Sequence, residues 1–525
     1  MQSNSMPTAH VMFFNPSLPF RDYFLNREFP VHVVYLANFL KERRGNEVNF
    51  GFLDMIMEWV RDPLIDPLNE DFLEKLVKDV VDRTFTFHRA DAFIVVVSCH
   101  TTLQYLGARA FLRALRSLVA HGAIPRATIV VGGYHPSAVP EDFNDLGVDV
   151  IVVGEGEIAL NDIISTARRV DDGDPREKEP MPRIIIGTAV LNLDDIPPVD
   201  FSIYESYLPL YPRLSIALSR GCPKSCAFCG EFQQSRHRPK WRAYSPQRAR
   251  EEIRAVVGAS DEFIEQPQDS RIIGFYDPTF GYAPRWRDKI VDFLVGSQTG
   301  YMYWAQTRID TIARDEISRF KQAGLKFMLG LESGSPRMLH LMRKTPDPAG
   351  HLAAIERIIH IAKEIDYGPL VLNLIFNFPG ETPDTLAETF TFLDGLVNEH
   401  GSFNTSEQLY VMYPGDAVHA DLLRWQKEHG TRLYRQGWWR ERGTATCGEF
   451  IDASRTLPYT TALEIIHDGL KSVFDKCKER TEKIIYKFEY LRKMRQEDAK
   501  LAMKLERLEE LNASGVFSTG IDASR

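Results

Sequence analysis

The sequence predicts an α/β protein: a doubly wound parallel sheet, then a partial (β/α)6 barrel, then a mostly helical C-terminal segment. Three observations predict it. Short continuous apolar runs recur through the first 170 residues with helical spacing between them, the pattern of strands buried on both faces of a parallel sheet. The alternation breaks in a polar, proline-stiffened stretch and resumes as six further β/α units between residues 214 and 415. A chain of 525 residues, 44% hydrophobic and 26% charged, has ample core material for three or four domains of roughly 100–200 residues each.

In the first domain, residues 1–170, the predicted strands are Val11–Phe14, Val48–Leu53, Ala92–Val97, Ala127–Val131 and Val148–Val153, with helices such as Val31–Lys41 and Leu103–Val119 between them. Each run ends in turn or polar chemistry. The clusters are Asn15-Pro16-Ser17, Asp54, Ser98-Cys99-His100-Thr101-Thr102, Gly132-Gly133-Tyr134-His135-Pro136 and Gly154-Glu155-Gly156-Glu157. Ligands of such sheets bind outside the carboxyl ends of the strands, where these clusters fall. Residues 171–213 read as a linker, with Asp171–Pro175 and Lys178–Pro180 polar and Leu193–Pro198 an extended connector.

From 214 to 415 the predicted strands are Leu214–Leu218, Arg271–Tyr276, Tyr301–Gln306, Lys326–Leu331, Leu370–Phe376 and Glu407–Met412. The intervening helices are Pro246–Val257, Arg285–Leu294, Ile312–Gln322, Ala353–Ile365 and Asp384–Val397, which places any chemistry at the strands' carboxyl ends. Residues 416–525 are mostly helical, and Cys477–Asn512 reads as a charged, solvated amphipathic helix. Within that part, Tyr434–Arg440 is aromatic and basic. It reads as a patch docking the C-terminal helices, with a stacking surface for a flat or anionic substrate as the other reading.

Lys plus Arg number 63 against 72 Asp plus Glu, a net charge of −9, so nothing global points to nucleic acid. No apolar run reaches the roughly 18 residues of a membrane span, and no signal peptide is expected. A cytoplasmic protein is expected, whose sparse cysteines stay reduced and free to hold metal.

Cys222, Cys226 and Cys229 form a C-x3-C-x2-C triad directly after the first predicted barrel strand. Zinc sites usually take four protein ligands, and no second cysteine pair or histidine pair lies near. Three local thiolates point instead to an iron–sulfur cluster with one iron left open. Cys99, Cys447 and Cys477 are scattered and read as buried small hydrophobes. Of the 14 histidines, His100 and His135 alone fall on a predicted ligand face.

This triad, with an aromatic before its last cysteine, resembles the radical S-adenosylmethionine (SAM) enzymes. Arg242–Pro246 leading into Glu251-Glu252-Ile253, Phe275–Phe280, Gly330–Pro336 with Lys344 beyond, and Asn377–Thr382 resemble further motifs of that family. The N-terminal Gly132–Pro136 and Asp149–Glu157 segments, with the Leu193–Pro197 connector, resemble the cobalamin-binding domain of one subclass. The resemblance covers roughly residues 10–415. It departs in one respect: Asn15-Pro16-Ser17-Leu18-Pro19 stands where an Asp-x-His-x-x-Gly motif would supply an axial histidine, which implies cobalamin without a protein histidine on cobalt.

The resemblance implies three cofactors: a [4Fe–4S] cluster on Cys222, Cys226 and Cys229, SAM on the open iron, and cobalamin. It implies that Phe228 packs near the adenine, Arg308 pairs with the SAM carboxylate, Glu332 and Ser333 bond the ribose, and Asp277 faces the SAM ammonium or the substrate. Ser98, Thr101, Gly132 and Gly133 are expected to line the cobalamin tail cleft, with Gly154 and Glu155 beside them. The implied activity is methyl transfer from SAM through methylcobalamin to a carbon or phosphorus centre of a small natural-product substrate, aromatic ones such as tryptophan included, in a setting such as antibiotic biosynthesis. An electron donor such as flavodoxin or ferredoxin is the implied partner, with no membrane and no nucleic acid. The alternatives are an oxidative cyclase using the same cofactors and a non-catalytic cobalamin or SAM sensor. An RNA-modifying enzyme would bring a basic module, and the sequence shows none.

Overall fold

A computed structural model describes residues 8–18, 28–62, 64–167, 182–231, 239–265, 271–367, 370–400, 403–441 and 451–476. The chain divides into two compact units. The first holds residues 1–330, 412–420 and 437–446; the second holds 331–411, 421–436 and 447–525.

The first unit opens with six parallel strands: β1 (Ala9–Asn15), β2 (Val48–Asp54), β3 (Ala92–Ser98), β4 (Thr128–Gly132), β5 (Val150–Gly154) and β6 (Arg183–Gly187), in the order β2-β1-β3-β4-β5-β6. Every residue of β1 and β3 is buried, because helices cover both faces and a continuous apolar run is what that setting rewards. The five predicted strands are present; helix Val31–Arg44 runs three residues past the predicted end, and helix Tyr105–Ala120 starts two residues later and ends one later than predicted. β6 lies inside the segment expected as a linker. Its run Arg183-Ile184-Ile185-Ile186-Gly187 is strand-like, but Ile184 and Ile186 are about half exposed on the sheet edge. Backbone pairing to β5, from Val150↔Arg183 to Gly154↔Gly187, holds it there. The Leu193–Pro198 connector begins as a 3-10 turn, Leu193–Asp195, which Asn192 caps by accepting from the Asp194 amide, and turns extended at Ile196.

Strand order reverses between β1 and β3, so loops from these two strands part at their carboxyl ends. Gln104 ties the parted loops together. Its Nε2 donates to Asn15 Oδ1 and the Pro16 carbonyl, both at 3.0 Å, while its Oε1 accepts from the His100 and Thr101 amides at 2.9 and 3.1 Å.

The same unit continues with β7 (Ser215–Ile216), the short antiparallel pair β8 (Ser219–Arg220) and β9 (Arg242–Ala243), then β10 (Ile272–Phe275), β11 (Met302–Thr307) and most of β12 (Leu325–Glu332). β7, β10, β11 and β12 run parallel side by side, with Phe275↔Ile216, Phe275↔Ala305 and Thr307↔Leu329 in register. Helix Pro246–Phe263 begins where Ser245 caps the Arg248 amide at 3.2 Å and Pro246 takes the first turn, a position that needs no amide.

In the second unit, β13 (Val371–Phe376) pairs in parallel with β14 (Asn404–Leu409), from Val371↔Asn404 to Phe376↔Leu409. The last strand was expected at Glu407–Met412 and starts three residues earlier. Asn404-Thr405-Ser406 is polar and carries no hydrophobic signal, so backbone pairing to β13 decides its extent. β15 (Arg432–Leu433) and β16 (Ile451–Asp452) form a short antiparallel pair, and helix Tyr459–Lys476 follows. Cys447, Cys477 and the predicted helix Cys477–Asn512 lie outside the described residues, as do Asp171–Pro175 and Lys178–Pro180.

Candidate functional site

The cysteine loop begins and ends on the β8–β9 ladder, which pairs Ser219 with Ala243 and Arg220 with Arg242. Gly221, immediately before Cys222, sits at φ +82°, and a Cβ there would stand 2.5 Å from the Lys240 carbonyl oxygen. Only glycine closes the loop that tightly. Within it the Cys229 amide donates to the Cys226 carbonyl at 3.2 Å, and the Ala417 amide donates to the Ala227 carbonyl at 2.9 Å. Cys226 is buried and Cys222, Phe228 and Cys229 are half-buried; the three thiols are free of disulfides. Burial pushes the Cys222 and Cys229 thiols above their usual range, so metal ligation must displace protons.

The donor set fits an iron–sulfur cluster. Among the described residues, no group of three or more Cys, His, Asp or Glu side chains is arranged around a single ion position. Cysteines of a four-iron cluster each bind a different iron and have no need to converge on one point.

Two predicted residues join this loop. Arg308, following β11, donates from Nη1 to Cys226 Sγ at 3.6 Å and pairs with Asp310 through Nε and Nη2 at 2.9 and 3.1 Å. Asp277, following β10, is buried and accepts from the Leu218 amide at 3.2 Å and from Ser219 Oγ. Burial raises its carboxyl to about 6. Both of its oxygens therefore tie β10 to the strand leading into the cysteine loop.

At the strand ends of the first sheet, Ser98 pairs in register with Gly132, and the Cys99 amide donates to the Gly132 carbonyl at 2.9 Å. Gly133 sits at φ +121°, where a Cβ would stand 2.3 Å from the Cys99 carbonyl oxygen. The Gly154 amide donates to Ser137 Oγ at 3.1 Å. Ser98, Gly132, Gly133 and Gly154 thus form one rim of small residues at the carboxyl ends of β3, β4 and β5, beside the switch point. Thr101 is exposed and its amide is held by Gln104. The Ser17 hydroxyl in the loop after β1 is fully buried with no hydrogen-bond partner among the described atoms. This rim fits cobalamin.

Neither Asn15 nor His135 is arranged as a metal ligand. Asn15 Nδ2 donates to Asp54 Oδ1 at 3.1 Å while its oxygen accepts from Gln104. The two ring nitrogens of His135 contact Thr102 Oγ1 at 3.3 Å and Asp142 Oδ2 at 3.1 Å. Cys99 is buried, as expected of a small hydrophobe, and His100 stacks on His32 with ring centroids 4.2 Å apart.

Glu155 is taken up by protein partners. It pairs with Arg242, lies 3.4 Å from Arg220, and accepts the Val190 amide at 3.2 Å, while Glu157 pairs with Arg220 at 2.7 Å. Burial opposes ionisation of Glu157, but the Arg220 guanidinium outweighs it and holds the carboxyl below its usual value. This buried four-charge cluster joins the loop after β5 to both strands that bracket the cysteine loop. The sequence held one signal for it: two acids just after a largely buried strand need cations from elsewhere.

The Tyr434–Arg440 segment divides between two partners. Trp439 Nε1 donates to Asp142 at 2.6 Å, Arg440 pairs with Asp142 at 2.6 Å, and Arg109 donates to the Arg440 carbonyl at 3.0 Å. Trp439 and Arg440 thus join the first sheet's domain, because Asp142, buried with His135, draws both donors, whereas Tyr434 packs on Tyr459 of the C-terminal helix as expected. Burial opposes its ionisation, but these bonds hold the Asp142 carboxyl below its usual value.

In the second unit, Glu332 ends β12 at φ +66°, a left-handed conformation costing about 1–3 kcal/mol. It is buried and paired with Lys344 at 2.8 Å. Ser333 Oγ bonds Thr389 Oγ1 at 2.9 Å and accepts the Ser335 amide at 3.1 Å. Sequence reasoning missed the charge state of Glu381 in the turn after β13, which burial pushes up to about 8. The fold binds that proton more tightly than the unfolded chain does, whose carboxyl titrates near 4.5. Its stabilising contribution is therefore complete below about 4.5 and is lost as pH rises through about 8. The urea midpoint is expected to fall across that window, and Glu381→Gln to flatten the fall.

Residues 22–164 match the B12 binding domain family, and residues 216–393 match the radical SAM superfamily. The chain is 24% identical over 409 residues to an uncharacterised methyltransferase of Pyrococcus horikoshii, covering 74% of this chain and 76% of that one. It is 26% identical over 397 residues to the anaerobic magnesium-protoporphyrin IX monomethyl ester cyclase of Rubrivivax gelatinosus, covering 69% of this chain but only 61% of the cyclase. The fold is shared with the radical SAM methyltransferase TsrM of Kitasatospora setae, solved with cobalamin and a [4Fe–4S] cluster (TM-score 0.61, 14% identity, 90% of each chain). It is shared also with the cobalamin-dependent SAM radical enzyme OxsB (TM-score 0.66, 16% identity, 94% of this chain and 72% of that one). With both domains matched, a three-thiol loop and a small-residue rim at the switch point, the chain carries a B12 binding domain and a radical SAM domain, and its likeness to methyltransferases supports a cobalamin-dependent radical SAM methyltransferase.

Proposed function

We propose that this enzyme methylates a carbon or phosphorus centre of a small natural-product molecule, aromatic compounds such as tryptophan included. The observation supporting this reading is that the cysteine loop and the small-residue rim share one compact unit, stapled by Arg220 and Arg242 onto Glu157 and Glu155. When bound, the cluster supplies the electron that cleaves SAM, and cobalamin carries the methyl group.

The chain's own residues then have distinct tasks. Cys222, Cys226 and Cys229 hold three irons, and Phe228 packs beside the adenine. Ser98, Thr101, Gly132, Gly133 and Gly154 line the cobalamin tail. Glu332, aimed by Lys344, and Ser333 bond the ribose. Asp277 and Glu155, whose oxygens are taken by protein donors, act as positioning groups for the cysteine loop. Residues 1–170 form the cobalamin domain, 214–415 the SAM barrel, and 416–525 a C-terminal domain, with 171–213 between the first two. A flavodoxin- or ferredoxin-like protein delivers electrons. Among the described residues no helix is long and apolar enough to cross a membrane.

The similarity to the cyclase favours a second reading, in which the same cofactors close or remodel a ring. Incubation with SAM carrying a CD3 methyl separates the two. A methylase product gains CD3, whereas a cyclase product loses hydrogens and gains no label. A candidate substrate converted without label transfer would overturn the methylase reading.

A further inference from the structure

We propose that Arg308 sets the reduction potential of the cluster through its bond to Cys226, a role that rests on the cluster reading above. Arg308 is 6% exposed and its guanidinium is fixed on two sides. Asp310 takes Nε and Nη2 in a two-pronged pair, which aims Nη1 at Cys226 Sγ, 3.6 Å away. Asp310 is itself held from the cysteine loop, by Lys224 Nζ at 3.2 Å. The clamp runs from loop to strand end and back, which orients the guanidinium toward Cys226.

The physical consequence follows from charge. One-electron reduction adds a negative charge to the cluster and its thiolates, with no bond broken and no proton moved; the electron comes from a low-potential flavin or iron–sulfur protein. A fixed cation donating an N–H to one thiolate stabilises the reduced form more than the oxidised form. Arginine stays charged at every working pH, so the effect is constant. A SAM-carboxylate partner, the role the resemblance implies for Arg308, would act on SAM affinity instead.

The test is a redox titration of the reconstituted full chain without SAM, followed by the electron paramagnetic resonance of the reduced cluster. Arg308→Met is expected to lower the reduction equilibrium constant about tenfold, which is 59 mV for one electron. Arg308→Lys is expected to restore part of that shift, and Asp310→Asn, which leaves the guanidinium present but unclamped, to give a smaller fall. An unchanged midpoint in Arg308→Met with its cluster signal intact overturns the proposal, as does weaker SAM binding without a change in midpoint. Should Arg308→Met fail to hold iron, unchanged midpoints in both Arg308→Lys and Asp310→Asn overturn it equally. A chain without substitutions that shows no cluster signal would instead bring down the functional reading on which the proposal stands.

Discussion

Cys226→Ala is expected to abolish SAM cleavage while leaving the first sheet's ligand binding in place. The triad leaves no spare ligand: three thiols serve three irons, and no fourth cysteine lies in the loop. With one thiolate gone, two protein bonds remain to a cluster that must also keep one iron open. Loss of the thiol does little to the fold. Cys226 is small, the Cys226 carbonyl still accepts the Cys229 amide, and the Ala227 carbonyl still accepts the Ala417 amide. Iron and sulfide should therefore drop sharply, and 5′-deoxyadenosine should fall to background, while the cobalamin spectrum persists. A variant that kept a full iron count and cleaved SAM would place the cluster elsewhere.

Glu157→Ala is expected to cost about 3–5 kcal/mol, the usual result of stranding one member of a buried ion pair. Arg220 would keep only Glu155, 3.4 Å away and already paired with Arg242. Against a typical stability of about 5–15 kcal/mol, that loss is large. It falls where the loop after β5 meets the strands bracketing the cysteine loop, so cobalamin retention and iron content should decline together. Removing both charges, in Glu157→Leu with Arg220→Met, should recover much of the loss, since an apolar replacement of a buried pair is often nearly neutral. Urea midpoints of the three proteins check this. Equal midpoints for the parent and Glu157→Ala would show that the cluster does not hold the unit together.

How far the sequence could be read follows from which interactions are local. The buried strands were legible because helices on both faces demand unbroken apolar runs, and the cysteine loop because its spacing is chemical rather than conformational. β6 and β14 were misread for opposite reasons: β6 is apolar yet exposed, β14 polar yet paired, and only the neighbouring strand decides either case. Arg220, Arg242, Glu157 and Asp142 were missed because their partners lie far along the chain: Glu155 meets Arg242 across 87 positions, and Asp142 meets Arg440 across 298. Arg308 was found for its place at a strand end, but its bond to Cys226 spans 82 positions and has no signature in spacing.

One chain is expected to carry both cofactors. Anaerobic purification with cobalamin, followed by iron, sulfide and cobalamin quantitation and an optical spectrum, tests it most directly. One [4Fe–4S] cluster and one cobalamin per chain is the predicted result. A cluster without cobalamin would contradict the role given to the first sheet and remove the basis for methyl transfer. Zinc with neither cofactor would contradict the whole assignment.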